Sequence, residues 1–238
     1  MRSITVGRAS DSSPGGMGVK EPFDIDEVFR RLRRAVAGVP RAAMFELRDR
    51  GHGTPFEQLV GSLISARTRD ETTLPVSLRL FARARTPEAM AALDEATIAG
   101  LLAGVTFSEV KARDIRALSQ RIVAEHGGRV PDTLEGLTAF RGVGPKIAAL
   151  TLAVGFGRPA IAVDVHVHRI TNRWGYVATA TPEKTAAALA EKLPERYWIE
   201  INERLVPFGK SICTAARPRC SSCPLLSLCR QVGVENPR

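Results

Sequence analysis

One lysine and one aspartate carry the clearest chemical signal in the sequence. Lys146 ends a Gly-Val-Gly-Pro-Lys run that begins at Gly142, and Asp164 follows eighteen residues later. A neutral lysine amine attacks a carbon centre and forms a Schiff base, and a carboxylate can take up a proton or stabilise developing positive charge. Only six lysines occur in the chain, so an amine nucleophile has few candidates. The pair predicts covalent catalysis through an amine.

The residues around Lys146 predict that it lies at a helix N-terminus. The stretch 137–150 is typical of a helix, a tight turn and a second helix, and its two glycines let backbone amides approach a phosphate. The partial positive charge of the helix N-terminus lowers a lysine pKa if the group is also partly desolvated. Two simpler interpretations stay open: Lys146 as a second phosphate contact, and Asp164 as a helix N-cap.

All four cysteines lie in one short C-terminal segment. Cys213, Cys220, Cys223 and Cys229 are separated by six, two and five residues. In a reducing compartment, cysteines grouped in this way bind metal more often than they form disulfides. Four thiolates on a compact loop suit both Zn²⁺ and an iron–sulfur cluster, so the spacing predicts a metal site of either kind.

The charge balance favours a polyanionic partner. The 238 residues include 34 lysines and arginines against 25 acidic residues, which gives a net charge of +9. Such a surplus is typical of nucleic-acid-binding proteins, although well-solvated surfaces also carry it. No apolar stretch reaches the roughly 18 residues of a membrane span, and the N-terminus lacks the apolar core of a secretory signal. We therefore expect an intracellular protein with no membrane association.

Helix signals recur along the chain, whereas strand signals are scarce. Residues 54–57 (Thr-Pro-Phe-Glu) place a capping residue, a proline at the first helical position and an acidic residue in the first turn, and Thr181 begins a similar run. Asp24 and Glu27 resemble a capping box at the start of a first helix. These patterns predict an all-α fold.

Three motifs in the same order resemble the endonuclease III family of helix-hairpin-helix DNA glycosylases. They are the turn at 142–146, the segment 163–169 at its set distance, and the spacing of the four cysteines. Residues 55–70 also resemble an early helix of that family. The resemblance extends from about residue 25 to about residue 230.

The resemblance implies a two-lobed all-α fold with the active site in the cleft between the lobes. A six-helix barrel domain that contains the helix-hairpin-helix would occupy residues 46–157. Residues 23–45 and 158–238 would form the second domain, where the four cysteines would hold a [4Fe–4S] cluster rather than zinc. Residues 1–22 carry almost no large apolar side chain, and we expect them to form a disordered tail.

The resemblance also implies a reaction. The family's catalytic lysine falls on Lys146 and its aspartate on Asp164, which predicts a bifunctional glycosylase and lyase acting on oxidised pyrimidines and abasic sites in double-stranded DNA. The damaged base is flipped out of the stack, Lys146 displaces it at C1′, and the resulting imine permits β-elimination. Gly142, Val143 and Gly144 would grip the DNA backbone. We expect the protein to act as a monomer.

Several residues depart from the family's pattern. Arg67 stands where the family usually has a glutamine that fills the space left by the flipped base, so it would either insert and pair with the orphaned base or bind phosphate. Ser65 lies in the same segment and is expected to contact DNA. Val105 or Phe107, in the place of the family's wedge loop, would help to unstack the duplex.

Two further departures keep other functions open. Arg141 replaces a proline before the hairpin, and Val165 replaces a polar residue after the aspartate. One alternative is a DNA-binding paralogue with weak or no catalysis, for which Arg67 and Arg141 are the only hints. The other is a monofunctional mismatch glycosylase, against which Lys146 argues, because such relatives usually carry Ser or Tyr at that position.

Overall fold

The computed structural model describes residues 20–238, which form helices and loops without a β-strand. Along this range the α-helices are α1 (Ile25–Ala35), α2 (Ala43–Asp49), α3 (Pro55–Ser65), α4 (Asp70–Arg83), α5 (Pro87–Ala91), α6 (Glu95–Leu101), α7 (Ser108–His126), α8 (Leu134–Thr138), α9 (Pro145–Leu150), α10 (Val165–Trp174), α11 (Pro182–Lys192) and α12 (Glu200–Ser211). A π-helical turn, Thr151–Gly155, extends α9. The prediction of an all-α fold is confirmed. No helix between residues 20 and 238 is both long and apolar enough to cross a membrane.

Local capping explains where α1 and α3 begin. At α3 the Thr54 hydroxyl accepts a hydrogen bond from the Glu57 amide, the Glu57 carboxylate accepts one from the Thr54 amide, and Pro55 takes the first helical position. At α1 only half of the predicted capping box forms. Asp24 caps the helix, but the Glu27 side chain pairs with two arginines of the next turn, because charge-assisted hydrogen bonds are stronger than a bond to a neutral amide.

The first hydrophobic core surrounds α3. Every side chain in the range 56–64 is buried, and apolar residues of α2, α4, α6, α7 and α9 pack around them. Even Glu57 is fully buried, so its carboxylate needs partners, which Arg85 and His52 supply. Burial alone would raise the pKa of Glu57, but these hydrogen bonds outweigh burial and lower it. We call the part of the chain that shares this core the hairpin lobe.

The second core joins the two ends of the described chain. Val28, Phe29 and Leu32 of α1 pack with apolar residues of α10, α11 and α12 and of the segment that follows α12. The rings of Phe29 and Tyr197 stack with their centroids 3.8 Å apart. Because the cysteine segment also packs against this core, we call this part of the chain the cysteine lobe.

The predicted tail over residues 1–22 lies outside the described residues as far as residue 19. The ammonium of Lys20, the first described residue, donates to the Leu226 carbonyl at 2.9 Å, and the Glu21 amide donates to the Ser227 carbonyl at 2.9 Å. The carbonyls of Leu226 and Ser227 thus bind Lys20 and Glu21, and the tail limit at residue 22 stays a prediction. The first core includes residues from Ala42 to Ala162 and the second begins again at Val163, while the domain limits at 46 and 158 stay a prediction.

Candidate active site

The predicted hairpin connects α8 to α9. Gly142 has a φ of +81°, and a Cβ at this position would lie 3.4 Å from both the Asp114 carboxylate and a methyl group of Leu63. The conformation therefore favours glycine, whereas the space around it would admit a Cβ in ordinary van der Waals contact. Gly144 is the N-cap of α9, and Pro145 is its first residue. Within residues 20–238 the amides of Gly142 and Gly144 donate no hydrogen bond, so they are available to an anion.

Val143 differs from the two glycines that flank it. Its side chain is buried in the first core, and its amide donates to the Phe140 carbonyl at 3.1 Å. The predicted contact of Val143 with DNA therefore has no free donor. The side chain packs in the core, and the turn already uses the amide. The amides of Lys146 and Ile147 in the first turn of α9 remain as donors, since the first amides of a helix have no intrahelical acceptor.

Lys146 is the second residue of α9 and is exposed. Its ammonium forms no hydrogen bond or salt bridge within the part of the chain that the structure describes. The sequence raised the possibility that the Lys146 amine is partly shielded from water. In the free protein the amine is exposed, so any shielding would have to come from a bound partner. The side chain is free to reach a substrate.

Asp164 is the N-cap of α10, as one of the two sequence interpretations predicted. Its Oδ1 accepts hydrogen bonds from the amides of His166 and Val167, both at 2.9 Å. The residue is half-buried, and its second oxygen has no hydrogen bond among the described residues. One oxygen therefore orients the carboxylate while the other stays available for chemistry.

Lys146 and Asp164 line one cleft between the two lobes. The cleft has a volume of about 1060 Å³, and Ser65 and Arg67 lie on its wall together with the lysine. An adjoining depression of about 430 Å³ shares Ser65, Arg67 and Lys146 with the cleft and adds Gly142. The fold thus brings the predicted catalytic pair and most of the predicted DNA contacts to one concave surface.

Ser65 is the last residue of α3, and Arg67 lies two residues beyond it. The Ser65 hydroxyl donates to the Ser62 carbonyl at 2.8 Å, which leaves its oxygen free to accept from a ligand. Arg67 is exposed and has a φ of +55°, a left-handed conformation that a non-glycine residue rarely adopts. Such strain is concentrated at functional sites.

The structure separates the two candidates for the wedge. Val105 is only 6% exposed and belongs to the first core, so the predicted contact of Val105 with DNA is not accessible. Phe107 is 57% exposed and has a φ of +60° at the N-cap of α7. The Arg67 guanidinium lies 6.0 Å from the centroid of the Phe107 ring. The exposed pair at this edge of the cleft is therefore Arg67 and Phe107.

Lys210 of α12 connects the two walls of the cleft, a role that the sequence did not indicate. Its ammonium donates to Asp70 at 2.7 Å and lies 3.4 Å from Glu71, both at the start of α4. Burial alone would lower the pKa of Lys210, but the two carboxylates outweigh burial and raise it. No local pattern signals this contact, because the partners are 140 residues apart.

The four cysteines line one small cavity of the cysteine lobe. Apolar side chains, among them Phe208 and Ile212, form most of the remaining wall. Burial raises the pKa of the Cys223 thiol to about 12. The amide of Gln231 donates to Cys229 Sγ at 3.3 Å, and Arg173 donates to Cys213 Sγ at 3.5 Å, which are contacts that stabilise thiolate ligands.

The four thiols supply the sulfur ligands that zinc sites and iron–sulfur sites share. A tetrahedral Zn²⁺ site needs four sulfurs at about 2.3 Å from one centre. Among residues 20–238, no group of three or more His, Cys, Asp or Glu side chains is arranged to hold a metal ion. The four thiols nevertheless line one common cavity, so their chemistry fits a thiolate-bound metal group.

Comparison with known proteins agrees with the geometry of the cleft. A family model described as HhH-GPD superfamily base excision DNA repair protein matches residues 60–195. Endonuclease III of Thermotoga maritima is 45% identical over 175 residues, which cover 74% of this chain and 82% of that protein.

Two solved structures are similar over nearly the whole described chain. A non-covalent endonuclease III–DNA complex has a TM-score of 0.76 at 30% identity and covers 87% of this chain and 94% of its own. A trapped endonuclease III–DNA covalent intermediate, an estranged-adenine complex, has a TM-score of 0.72 at 30% identity and covers 87% and 95%. The chain therefore belongs to the endonuclease III family, within the HhH-GPD superfamily of base excision DNA repair proteins.

Proposed function

We propose that this chain is a bifunctional DNA glycosylase and abasic-site lyase that removes oxidised pyrimidines from double-stranded DNA. The observation that carries the proposal is the placement of the exposed Lys146 and the capped Asp164 on one cleft. An amine at this position supports a covalent route over attack by water. A relative at 30% identity has been trapped as a covalent intermediate with DNA, which supports the same route.

Binding begins at the hairpin. The free amides of Gly142 and Gly144 and the first turn of α9 would hold a phosphate, since a helix N-terminus carries partial positive charge. Contacts of this kind grip the backbone without reading the bases. Both walls of the cleft come from one chain, so we propose that the protein acts as a monomer.

The damaged nucleotide must leave the stack before Lys146 can reach its sugar. We assign the opening of the duplex to Arg67 and Phe107, which are exposed beside the cleft and 6.0 Å apart. The Phe107 ring would enter between bases as an apolar wedge. Arg67 would donate to the base left without a partner.

The chemical steps use the two catalytic residues in turn. The neutral amine of Lys146 forms a bond to C1′ while the glycosidic bond breaks and the base leaves with the electron pair. The free oxygen of Asp164 stabilises positive charge on the sugar and accepts a proton from the amine. The nitrogen then forms a double bond to C1′ while the C1′–O4′ bond breaks, and O4′ takes up the proton that Asp164 had accepted. The protonated imine makes the 2′ proton acidic. Loss of that proton to water breaks the C3′–O3′ bond, and the 3′ phosphate leaves with the electron pair.

Endonuclease III proteins generally contain an iron–sulfur cluster, and we propose that Cys213, Cys220, Cys223 and Cys229 hold a [4Fe–4S] cluster here. When bound, the cluster would cross-link the segment after α12 and thereby stabilise the cysteine lobe. Iron and acid-labile sulfide measured on purified protein should each approach four per chain. A colourless protein that contains one zinc per chain would contradict this assignment.

An intracellular location stays a prediction.

Borohydride trapping on abasic duplex DNA tests the reaction. Borohydride reduces a Schiff base to a stable amine, so the native protein should form a covalent adduct that migrates slowly in a denaturing gel. Lys146→Gln should form none, because an amide is not a nucleophile. Lys192→Gln is a matched control, since Lys192 lies in the cysteine lobe and bonds to the Tyr176 carbonyl instead of lining the cleft.

Three results are distinguishable when a duplex that carries an oxidised pyrimidine is assayed beside the abasic duplex. Base release with strand cleavage and an adduct supports the proposal, whereas base release without an adduct indicates a monofunctional glycosylase. Tight DNA binding with neither product indicates a paralogue that binds DNA without catalysis. Either of the last two results would overturn the proposed function.

A further inference from the structure

A buried lysine lies directly beneath the Arg67 loop. Lys111 of α7 is 8% exposed. Its ammonium donates to the carbonyls of Ile64 and Ala66, both at 2.7 Å, and to the Thr68 hydroxyl at 3.2 Å. The three acceptors flank Arg67 in sequence, so one side chain holds both ends of the turn that presents Arg67.

Lys111 has no acidic partner within the part of the chain that the structure describes. Burying a charge without a counter-ion is costly, and burial lowers the pKa of Lys111 to about 8. The charge is balanced instead by the carbonyls at the C-terminal end of α3, which carry partial negative charge. A lysine ammonium has three donors, and all three are used here. Near neutral pH the group is protonated and its bonding capacity is filled.

Lys111 is also connected to Phe107. Its backbone amide donates to the Phe107 carbonyl at 3.0 Å, which forms the first hydrogen bond of α7. Phe107 and Arg67 are two of the three non-glycine residues with positive φ in the described chain. Two strained, exposed side chains that lie 6.0 Å apart therefore share one buried support.

We propose that Lys111 is a positioning residue for opening the duplex, and that it holds Arg67 and Phe107 as one preformed unit. The inference rests on the proposed function, because it assumes that this pair enters the DNA. Without the ammonium, the carbonyls of Ile64 and Ala66 would lose their partner and the turn would relax from its strained conformation. The pair would then have to be ordered during each opening event, whereas Lys146 and Asp164 would stay in place.

The test compares two substrates that differ only in the opening step. One carries an oxidised pyrimidine in a fully paired duplex, and the other carries it in a bubble of unpaired nucleotides, where separation of the strands has already been achieved. Lys111→Met should lower kcat/KM on the paired duplex by about ten- to hundredfold, the range of coupling between residues in one network. On the bubble it should change kcat/KM by less than about threefold.

A second readout reports entry of the pair without any chemistry. A 2-aminopurine placed opposite the lesion becomes more fluorescent when it loses its stacking partners. The native protein and the catalytically inactive Lys146→Gln should both raise the fluorescence, whereas Lys111→Met should raise it much less. The signal does not depend on excision, so it separates failure of this inference from failure of the proposed function.

The controls address a purely structural effect. Lys192→Met also removes a hydrogen bond from a lysine to a carbonyl, but in the cysteine lobe, and should leave both substrates unaffected. In an Arg67→Ala background, Lys111→Met should add less than about threefold on the paired duplex, since the two residues act together. If Lys111→Met does not fold, Thr68→Val removes one of the three partners and should give a smaller loss in the same direction.

Equal losses on the paired duplex and on the bubble would show that Lys111 serves stability alone and would overturn the proposal. An unchanged fluorescence rise in a folded Lys111→Met, or in Thr68→Val, would overturn it as well. If Lys111→Met lowered kcat/KM on the paired duplex as much in the Arg67→Ala background as in the native protein, the proposal would also be overturned.

Discussion

The two catalytic residues lie on opposite walls of the cleft and differ in their contacts. Lys146 is exposed, and no hydrogen bond or salt bridge within residues 20–238 holds its amine. Asp164 is half-buried and accepts two amide hydrogen bonds at 2.9 Å. Both residues lie at the N-terminal end of a helix. The first amides of α10 bond to the Asp164 carboxylate, whereas α9 has no side-chain cap.

The difference lies in what else each residue does. Among the residues that the structure describes, no partner bonds to the Lys146 amine, so its substitution should change the chemistry alone. The aspartate begins α10, so its substitution should change both the chemistry and the stability of the cysteine lobe. Substitutions on the two walls can therefore separate catalysis from folding.

The largest effect is expected at Lys146. Lys146→Gln should lower the single-turnover rate of base release by about 10⁴-fold or more, the usual scale for loss of a nucleophile. Its melting temperature should match that of the native protein, because no contact in the described chain is lost. Calorimetry checks the melting temperature, and chromatography of the released base checks the rate. A lower melting temperature would mean that Lys146 also contributes to stability.

The second largest effect is expected for Asp164→Asn. Asparagine caps a helix about as well as aspartate, so the hydrogen bonds to the amides of His166 and Val167 should persist and the melting temperature should stay within about 1 °C of the native value. The neutral amide cannot take up a proton or balance a positive charge, so base release should slow by about 10²- to 10³-fold. A rate close to the native one would remove Asp164 from the catalytic pair.

Asp164→Ala should add a cost in stability to the same loss of rate. Removal of an N-cap destabilises a protein by about 1 kcal/mol, which corresponds to a melting temperature lower by about 2–4 °C for a chain of this size. The comparison with Asp164→Asn isolates the cap, because both variants lack the charge. Equal melting temperatures for the two variants would show that the cap contributes little to the stability of α10.

Structural features that depend on residues close together in sequence were easier to predict than contacts between residues far apart in sequence. The cap at Asp164, the hairpin glycines and the start of α3 are set by residues within a few positions of each other, and the sequence predicted them. Glu27 departed from its predicted role because arginines of the next turn compete for its carboxylate. A local sequence pattern therefore predicts a hydrogen bond correctly only when no charged residue nearby competes for the same side chain.

The residues that sequence analysis misjudged or missed depend on the packed fold. Val105 and Phe107 are two positions apart, and only the packing of the loop before α7 decides that Val105 enters the core while Phe107 stays exposed. Lys111 and Lys210 reach partners that are 47 and 140 residues away. No spacing in the sequence encodes contacts between residues so far apart. Because the chain has only six lysines, each lysine was still a candidate for a functional role.

The smallest effect is expected at the contact that joins the two walls. Lys210→Met removes the salt bridges to Asp70 and Glu71, and with side chains that are about one quarter to three quarters exposed, each bridge is worth about 0.2–1 kcal/mol. The melting temperature should fall by less than about 4 °C at low salt, and the difference from the native protein should disappear at 1 M salt, where the charges are screened. Asp70→Asn should reproduce most of this loss and add little to Lys210→Met. A loss of excision far larger than the loss of stability would instead make Lys210 part of the DNA-binding surface, and the two walls would then be coupled through the substrate.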